Sequence, residues 1–242
     1  MNSKTLLAAT LVLSGTLFAA SFDAMASVNK SIRIGDGEQT GALSSVNGSV
    51  TVGNSAIVDG DVETVNGSIS IGDNVQFQAA ETTNGRIRVG SGAVTNSIDT
   101  VNGQISIGEN ASIQGSVETV NGGIQLSRGS TVGEDVGTVN GSLSVEGTDV
   151  GGDLSTVMGS VELTEGSIVR GDVVIRKSKS WGFNWGGRNK KPKVIIGPNS
   201  QVLGSIVAEQ EIELYISDSA TVGGVTGEIS MDDAVRFSGE RP

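Results

Sequence analysis

The feature that most constrains the fold is a phrase that returns at a nearly fixed interval. The segment "ETVNGSISIG" at 63–72 is followed by "DTVNGQISIG" at 99–108 and "ETVNGGIQLS" at 118–127. Successive Asn-Gly pairs, with Met158-Gly159 as a degenerate last copy, lie 18 or 19 residues apart. A repeat of this length is typical of a solenoid, in which each unit stacks on the next. The asparagines of the pairs are Asn47, Asn66, Asn84, Asn102, Asn121 and Asn140.

Asn-Gly is also a strong signal for a β-hairpin, so an antiparallel meander is the competing interpretation. The aliphatic positions favour a coil, because Ile105, Ala111 and Val117 lie six residues apart and supply one residue to each of three short strands. The third and fifth residues after each Asn are also aliphatic. The sequence therefore predicts an all-β fold, a single-stranded parallel β-helix (β-solenoid). We expect about ten coils of 18–19 residues, three short strands per coil, stacked about 4.8 Å apart.

Each Asn-Gly pair is predicted to form a corner of the coil. Gly accepts the positive φ that we expect at such a bend, and Asn tolerates the left-handed region better than most residues. Stacked Asn amides can hydrogen-bond along the rod, as identical side chains do in other cross-β stacks. A threonine column runs beside them, and we interpret both columns as stabilisers of the fold. Its members are Thr64, Thr82, Thr100, Thr119, Thr138 and Thr156.

Residues 1–26 have the features of a cleaved signal peptide. Lys4 is followed by an apolar run at 6–20 and by the small-residue site Ala24-Met25-Ala26. The run is too short to span a bilayer, which takes about 20 residues, and no later stretch qualifies, so we expect no transmembrane span. The remaining 27–242 are predicted to be one exported β-solenoid domain, periplasmic or at the cell surface. It contains no cysteine, so no disulfide supports it.

Several short motifs resemble the bactofilins, which are bacterial β-helical proteins that polymerise end to end into filaments. The motifs are "GDV" at 60–62 and 171–173, "VLGSI" at 202–206 and "ATVGGVTGEI" at 220–229. The resemblance implies a polymer-forming rod whose main partner is another copy of itself. Two features depart from the family, namely the export signal and a long basic loop.

The composition argues against most enzyme chemistry. Histidine is absent, which removes histidine bases, histidine zinc ligands and Ser/His or Cys/His nucleophile pairs. A carboxylate-only polysaccharide enzyme is a weak alternative whose nearest candidate pair is Asp232-Asp233, expected on a strand at the solvated surface. The net charge of −11 disfavours nucleic-acid binding. We predict a protein that is not an enzyme and has no cofactor.

The carboxylate column and the threonine column offer further alternatives. A carboxylate column of Glu63, Glu81, Asp99 and Glu118 is predicted to be a solvated acidic face, with Ca²⁺ binding as the less favoured interpretation. Ice binding would require the threonine hydroxyls to face outward in a flat array. The strand after the corner is too variable for a regular Thr-x-Thr array, so ice binding is a weak alternative.

The segment at 176–193 breaks the repeat and concentrates aromatic and basic residues. We interpret it either as a loop that binds envelope glycans or anionic polymers, or as one that packs on the rod and pairs with the acidic column. The predicted function is an exported, non-enzymatic scaffold rod that self-assembles in the cell envelope, with an envelope-polymer-binding module as the alternative. The candidate ligand-binding residues are Trp181, Phe183, Trp185, Arg188, Lys190 and Lys191.

Overall fold

The chain winds into a β-solenoid whose coils pair in parallel throughout. The computed structural model describes residues 23–177 and 191–242, and in this part of the chain every strand pair is parallel. One sheet contains eleven strands, which gives eleven coils, one more than predicted. At the strand spacing of a β-sheet the rod is about 50 Å long. The predicted single-stranded parallel β-helix is confirmed.

The strands are short, and most contain two to six residues. In chain order they are β1 (Met25–Ser27), β2 (Ile32–Ile34), β3 (Gln39–Ser45), β4 (Val50–Val52), β5 (Ile57–Thr64), β6 (Ile69–Ile71), β7 (Ala79–Asn84), β8 (Ile87–Val89), β9 (Val94–Thr95), β10 (Ser97–Asn102), β11 (Ile105–Ile107), β12 (Ser112–Ile113), β13 (Val117–Asn121), β14 (Ile124–Leu126), β15 (Thr131–Val132), β16 (Val136–Asn140), β17 (Leu143–Glu146), β18 (Asp149–Val150), β19 (Leu154–Thr156), β20 (Val161–Thr164), β21 (Ile168–Val169), β22 (Val173–Ile175), β23 (Lys193–Ile196), β24 (Gln201–Ala208), β25 (Glu213–Ser217), β26 (Thr221–Gly227) and β27 (Val235–Phe237). A 3₁₀ turn, Met231–Asp233, lies before β27.

The coil has three faces, which the chain visits in a fixed order. Face I is the eleven-stranded sheet that runs from β2 to β27. Face II holds the two-residue strands such as β12, and face III holds the strands that precede each Asn-Gly pair, such as β13. Faces II and III belong to one sixteen-stranded sheet, because β3, β5, β24 and β26 run across both without a break. The Asn-Gly corner joins face III to face I.

The core is made of aliphatic columns whose members lie in register, coil above coil. Ile87 pairs with Ile69 on one side and with Ile105 on the other, and none of the three is more than 1% exposed. Ala111 and Val117, the counterparts of Ile105 on the other two faces, are also buried. Each buried aliphatic side chain contributes about 1.5–3 kcal/mol through the hydrophobic effect. This confirms the stacking that the six-residue spacing predicted.

The corner glycines are required because there is no room for a side chain, and not for the positive φ that was predicted. None of the glycines in the Asn-Gly pairs has a positive φ. A Cβ at Gly122 would instead collide with the carbonyl oxygen of Gly103, one coil earlier, and a Cβ at Gly141 would collide with that of Gly122. The expectation of left-handed backbone at this corner is therefore wrong. Glycine is needed there because adjacent corners pack too closely for a side chain.

Left-handed residues occur at the next corner, between faces I and II. Asn74 and Asn110 both have φ 56°, and Gly92 has φ 67° at the equivalent position of the coil between them. This corner also carries a small polar ladder, since the backbone N–H of Asp73 donates to Oδ1 of Asn54 at 2.9 Å. Asn and Gly are the residues that best accept this conformation.

The described coils begin two residues before the predicted domain and end within it. At the first coil, Met25 and Ala26 of the predicted cleavage site belong to β1, where Met25 pairs with Leu43. At the last coil, β27 pairs with β25 and its Phe237 is half-buried. The tail beyond it turns back along face I, where Arg241 forms an ion pair of 3.2 Å with Glu162.

Candidate functional site

The Asn column forms a continuous side-chain ladder along the rod. The Nδ2 of each Asn donates to Oδ1 of the Asn one coil earlier, at 2.7–3.0 Å over six bonds. The first rung is Asn29, which the sequence analysis missed because Lys30 replaces the glycine after it. The ladder ends at Asn140, since the next coil has Met158 in this position. The predicted stacking of the amides is confirmed.

The threonine column lies inside the coil, directly behind the ladder. Each hydroxyl donates to the carbonyl oxygen of the glycine in the preceding corner, as Thr119 does to Gly103 at 3.0 Å. The six threonines from Thr64 to Thr156 are at most 5% exposed. They therefore tie each corner to the one before it, as expected for stabilisers of the fold. Because the hydroxyls do not reach the surface, the arrangement on which ice binding depended is absent from these six coils.

The predicted carboxylate column is present on the outside of face III. Glu81 pairs with Glu63 on one side and with Asp99 on the other, and Asp99 pairs in turn with Glu118. Partial burial and the neighbouring carboxylates Glu118 and Glu81 raise the pKa of Asp99 to about 7. Burial and adjacent carboxylates also raise the pKa of Glu63 and of Glu81. Stacked like charges of this kind destabilise the folded state.

No converging metal site accompanies this column. Within the described residues there is no group of three or more Asp, Glu, His or Cys side chains arranged to hold a metal ion. The other carboxylate pair, Asp232-Asp233, lies on the exposed 3₁₀ turn rather than on a strand as expected. Asp233 accepts hydrogen bonds from the backbone N–H and the hydroxyl of Ser230, which lower the pKa of its carboxyl group. Its role there is to cap the turn.

The basic and aromatic segment occupies the corner of its coil that is an Asn-Gly pair in the central coils. It separates β22 on face III from β23 on face I. Five of the six candidate ligand-binding residues lie outside the described residues, namely Trp181, Phe183, Trp185, Arg188 and Lys190. The sixth, Lys191, forms an ion pair of 2.8 Å with Glu211.

Three consecutive residues of the next coil hold both ends of this segment. Glu209 accepts from the backbone N–H of Lys177 at 3.0 Å, and Glu211 binds Lys191. Between them, Nε2 of Gln210 donates to the carbonyl oxygens of Arg176 (3.0 Å) and of Val157, two coils back (2.7 Å). We call residues 209–211 the loop mount. The sequence analysis missed it, although a Glu-Gln-Glu run following a basic insertion is a signal that could have indicated it.

A shallow cleft of about 380 Å³ lies beside the loop mount at the C-terminal end of the rod. It is lined by Ile212, Leu214 and Tyr215 together with Glu213 and other carboxylates. The ammonium of Lys193 lies 4.9 Å from the centre of the Tyr215 ring, within the range of a cation–π contact. Lys191 and Lys193, at the base of the loop, thus contact the neighbouring coil rather than the acidic column.

Comparisons of the chain with protein-family models, with curated proteins and with solved structures gave no match. The bactofilin resemblance therefore stays a prediction. In the described residues no helix is long and apolar enough to cross a membrane.

Proposed function

We propose that this protein is an exported, non-enzymatic scaffold rod that assembles end to end with copies of itself. The observation that carries the proposal is the pairing of the strands at the two ends of the rod. Strands in the middle of face I pair with a neighbour on each side. Face I ends in strands β2 and β27, and each of them pairs with one neighbour among the described residues. Such edge strands offer backbone groups to another chain.

The first of these edges has a definable set of backbone groups. The N–H of Ile32 donates to Ser49, and the carbonyl of Ile34 accepts from Gly53, so both residues face β4. The N–H and C=O of Arg33 between them consequently point away from the rod, because successive residues of a strand alternate in direction. No strand among the described residues pairs with this side of β2, so these groups can extend face I.

The other end has an incompletely covered core. Val222 and Val225 occupy inward positions of the last coil, paired with Val202 and Ile206. Both are half-buried, whereas Val202 and Ile206 are fully buried. A second rod stacked on this end would complete the burial of such side chains, at about 25 cal/mol for each Å² of apolar surface removed from water.

Assembly is tested with the chain expressed in a Gram-negative host with residues 1–26 in place. Recovery from the periplasmic fraction tests export, and sedimentation velocity with electron microscopy tests for filaments or large species. Arg33→Pro removes the free N–H and should shift the protein to monomers, whereas Arg33→Ala keeps the N–H and should still assemble. A monomeric wild-type rod would refute end-to-end assembly.

An envelope-polymer-binding module is the second candidate, and the loop mount favours it. Its contacts with Arg176, Lys177 and Lys191 fix both ends of the segment to one corner of the rod, and binding residues are often found on loops that a rigid scaffold positions. Deleting residues 178–190 leaves five residues between Ile175 and Val194, the same number as between Ala208 and Leu214 in the next coil. The deletion variant should therefore fold.

Co-sedimentation with purified peptidoglycan and binding to lipopolysaccharide vesicles then compare the deletion variant with the full chain. Binding by the full chain and its loss on deletion would support the module. Equal retention of both proteins would refute it. The double variant Trp181→Ala/Trp185→Ala separates aromatic contacts from the basic charge, which it leaves intact.

A further inference from the structure

Asn-Gly pairs are prone to deamidation, and the hydrogen bonds that oppose this reaction differ from one pair of the ladder to the next. In an Asn-Gly sequence the glycine nitrogen loses its proton and attacks Cγ of the Asn side chain, forming a C–N bond and expelling ammonia. Water opens the resulting succinimide to aspartate or isoaspartate. The reaction needs a free carboxamide and a free glycine N–H. Six such pairs occur in the chain, from Asn47-Gly48 to Asn140-Gly141.

In the middle of the ladder both reacting groups are occupied. Asn102 donates from Nδ2 to Asn84 at 2.9 Å and accepts at Oδ1 from Asn121 at 2.8 Å, which fixes its carboxamide in place. The N–H of Gly103, the attacking group, donates to the carbonyl oxygen of Asn121 at 3.0 Å. Asn84 and Asn121 have equivalent contacts. Attack at these positions requires breaking several hydrogen bonds.

Asn140 is the exception at the end of the ladder. Its Nδ2 donates to Asn121, but the following coil has Met158 where an amide would bind Oδ1 of Asn140. The N–H of Gly141 has no hydrogen-bond acceptor among the residues that the structure describes. The strand pairing of β16 with β19 also stops at Gly137, three residues before Asn140. Both the carboxamide and the nucleophile are therefore less constrained than at Asn102.

We propose that Asn140 is a site of spontaneous deamidation in the folded protein, and that the ladder protects Asn84, Asn102 and Asn121. Asn47 and Asn66 form an intermediate class. Their carboxamides are bonded on both sides, whereas the N–H groups of Gly48 and Gly67 have no acceptor in the described part of the chain. The corner retains this reactive pair because it needs glycine for space and Asn for the ladder.

The test is incubation of the full chain at mildly alkaline pH, followed by peptide mapping that quantifies aspartate and isoaspartate at each site. Because its carboxamide and the Gly141 N–H make two fewer hydrogen bonds, Asn140 should react at least about tenfold faster than Asn102. In denaturing urea the two rates should become similar, because the ladder is lost. Equal rates in the folded protein, or a faster reaction at Asn102, would overturn the proposal.

Met158→Asn provides a matched variant, because it supplies the missing amide beyond Asn140. The added rung should slow deamidation at Asn140 several-fold and leave the rate at Asn102 unchanged. Met158→Gln, which keeps an amide but lengthens the side chain, serves as the control for polarity alone. An unchanged rate at Asn140 in a folded Met158→Asn variant would refute the role of the ladder.

Discussion

The central coils and the C-terminal coils share one core but have different corners. From Asn47 to Asn140 each corner is an Asn-Gly pair tied to its neighbours, whereas beyond Met158 the corner becomes a loop and its mount. The inward columns continue through both regions, and Val161, Val194 and Leu214 remain in register. The comparison shows that stacking of the core does not require the ladder. The corner is therefore the part of the coil that can be changed.

The outer surface of face III changes between the same two regions. Its outward column carries Glu81 and Asp99 in the central coils and Val174 and Val207 in the C-terminal coils. The core behind both stretches is equally buried. The outward column of face III is thus charged in the central coils and apolar in the C-terminal coils, on one continuous sheet.

The largest expected effect comes from filling a corner of the central coils. Gly122→Ala should destabilise the protein by more than about 3 kcal/mol, because its Cβ would meet the Gly103 carbonyl oxygen, which is held in the corner. The neighbouring Gly123→Ala is the control, since other coils carry Ser, Arg or Gln there, and it should cost less than about 1 kcal/mol. Urea unfolding measures both changes. Similar losses would contradict the steric role of the corner.

The second-largest effect is a dependence of stability on pH, which arises from the carboxylates of face III. The pKa of Asp99 is raised in the folded state, so the folded protein binds this proton more tightly than the unfolded chain does. The free energy of unfolding should therefore fall as the pH rises from about 4 to about 7, and then level off. Glu63 and Glu81 act in the same direction.

Asp99→Asn should remove much of this slope and stabilise the protein above neutral pH by about 2 kcal/mol. The measurement is thermal unfolding across this pH range, for the wild type and the variant. A Val174→Asp variant places a carboxylate on the same column in the C-terminal coils, and it should introduce a new dependence there. A wild-type slope that persists unchanged in Asp99→Asn would show that Asp99 is not its source.

A single rung of the ladder should have a smaller effect. Asn102→Ala breaks the amide bonds to Asn84 and Asn121 at an exposed position, and should cost about 1 kcal/mol. Met158→Asn extends the ladder into the C-terminal region and should stabilise the protein by about 0.5 kcal/mol. Urea midpoints compare the two variants. A loss on adding the rung would mean that the corner at Met158 differs in more than its side chain.

The smallest effect is expected for the ion pair of the loop mount. Glu211→Gln removes the ion pair with Lys191 at an exposed site, and should change stability by less than about 0.5 kcal/mol. Gln210→Ala removes two hydrogen bonds to backbone carbonyls and should cost more, about 1 kcal/mol. Thermal unfolding of both variants at low and high salt distinguishes charge from hydrogen bonding. A large, strongly salt-dependent loss of stability in Glu211→Gln would mean that the ion pair contributes more than the hydrogen bonds of Gln210.

The sequence was sufficient to predict what depends directly on periodicity. The stacking of Ile69, Ile87 and Ile105 follows from the spacing, because an in-register coil places every eighteenth or nineteenth residue above its predecessor. The steric role of the corner glycines could not be predicted, since the distance from each glycine to the carbonyl oxygen of the preceding corner is known only from the structure. The mount residue Gln210 was missed because it lies in a corner that lacks the Asn-Gly repeat.

The registered stacking has a consequence for how the rod can vary in length. Because the strands of each turn pair only with those of the turns above and below it, a duplicated stretch from one Asn-Gly pair to the next would enter an environment already suited to it. Adding or losing a single residue within a strand would instead send the following side chains of that strand to the wrong surface. The rod can therefore lengthen or shorten in steps of one whole coil.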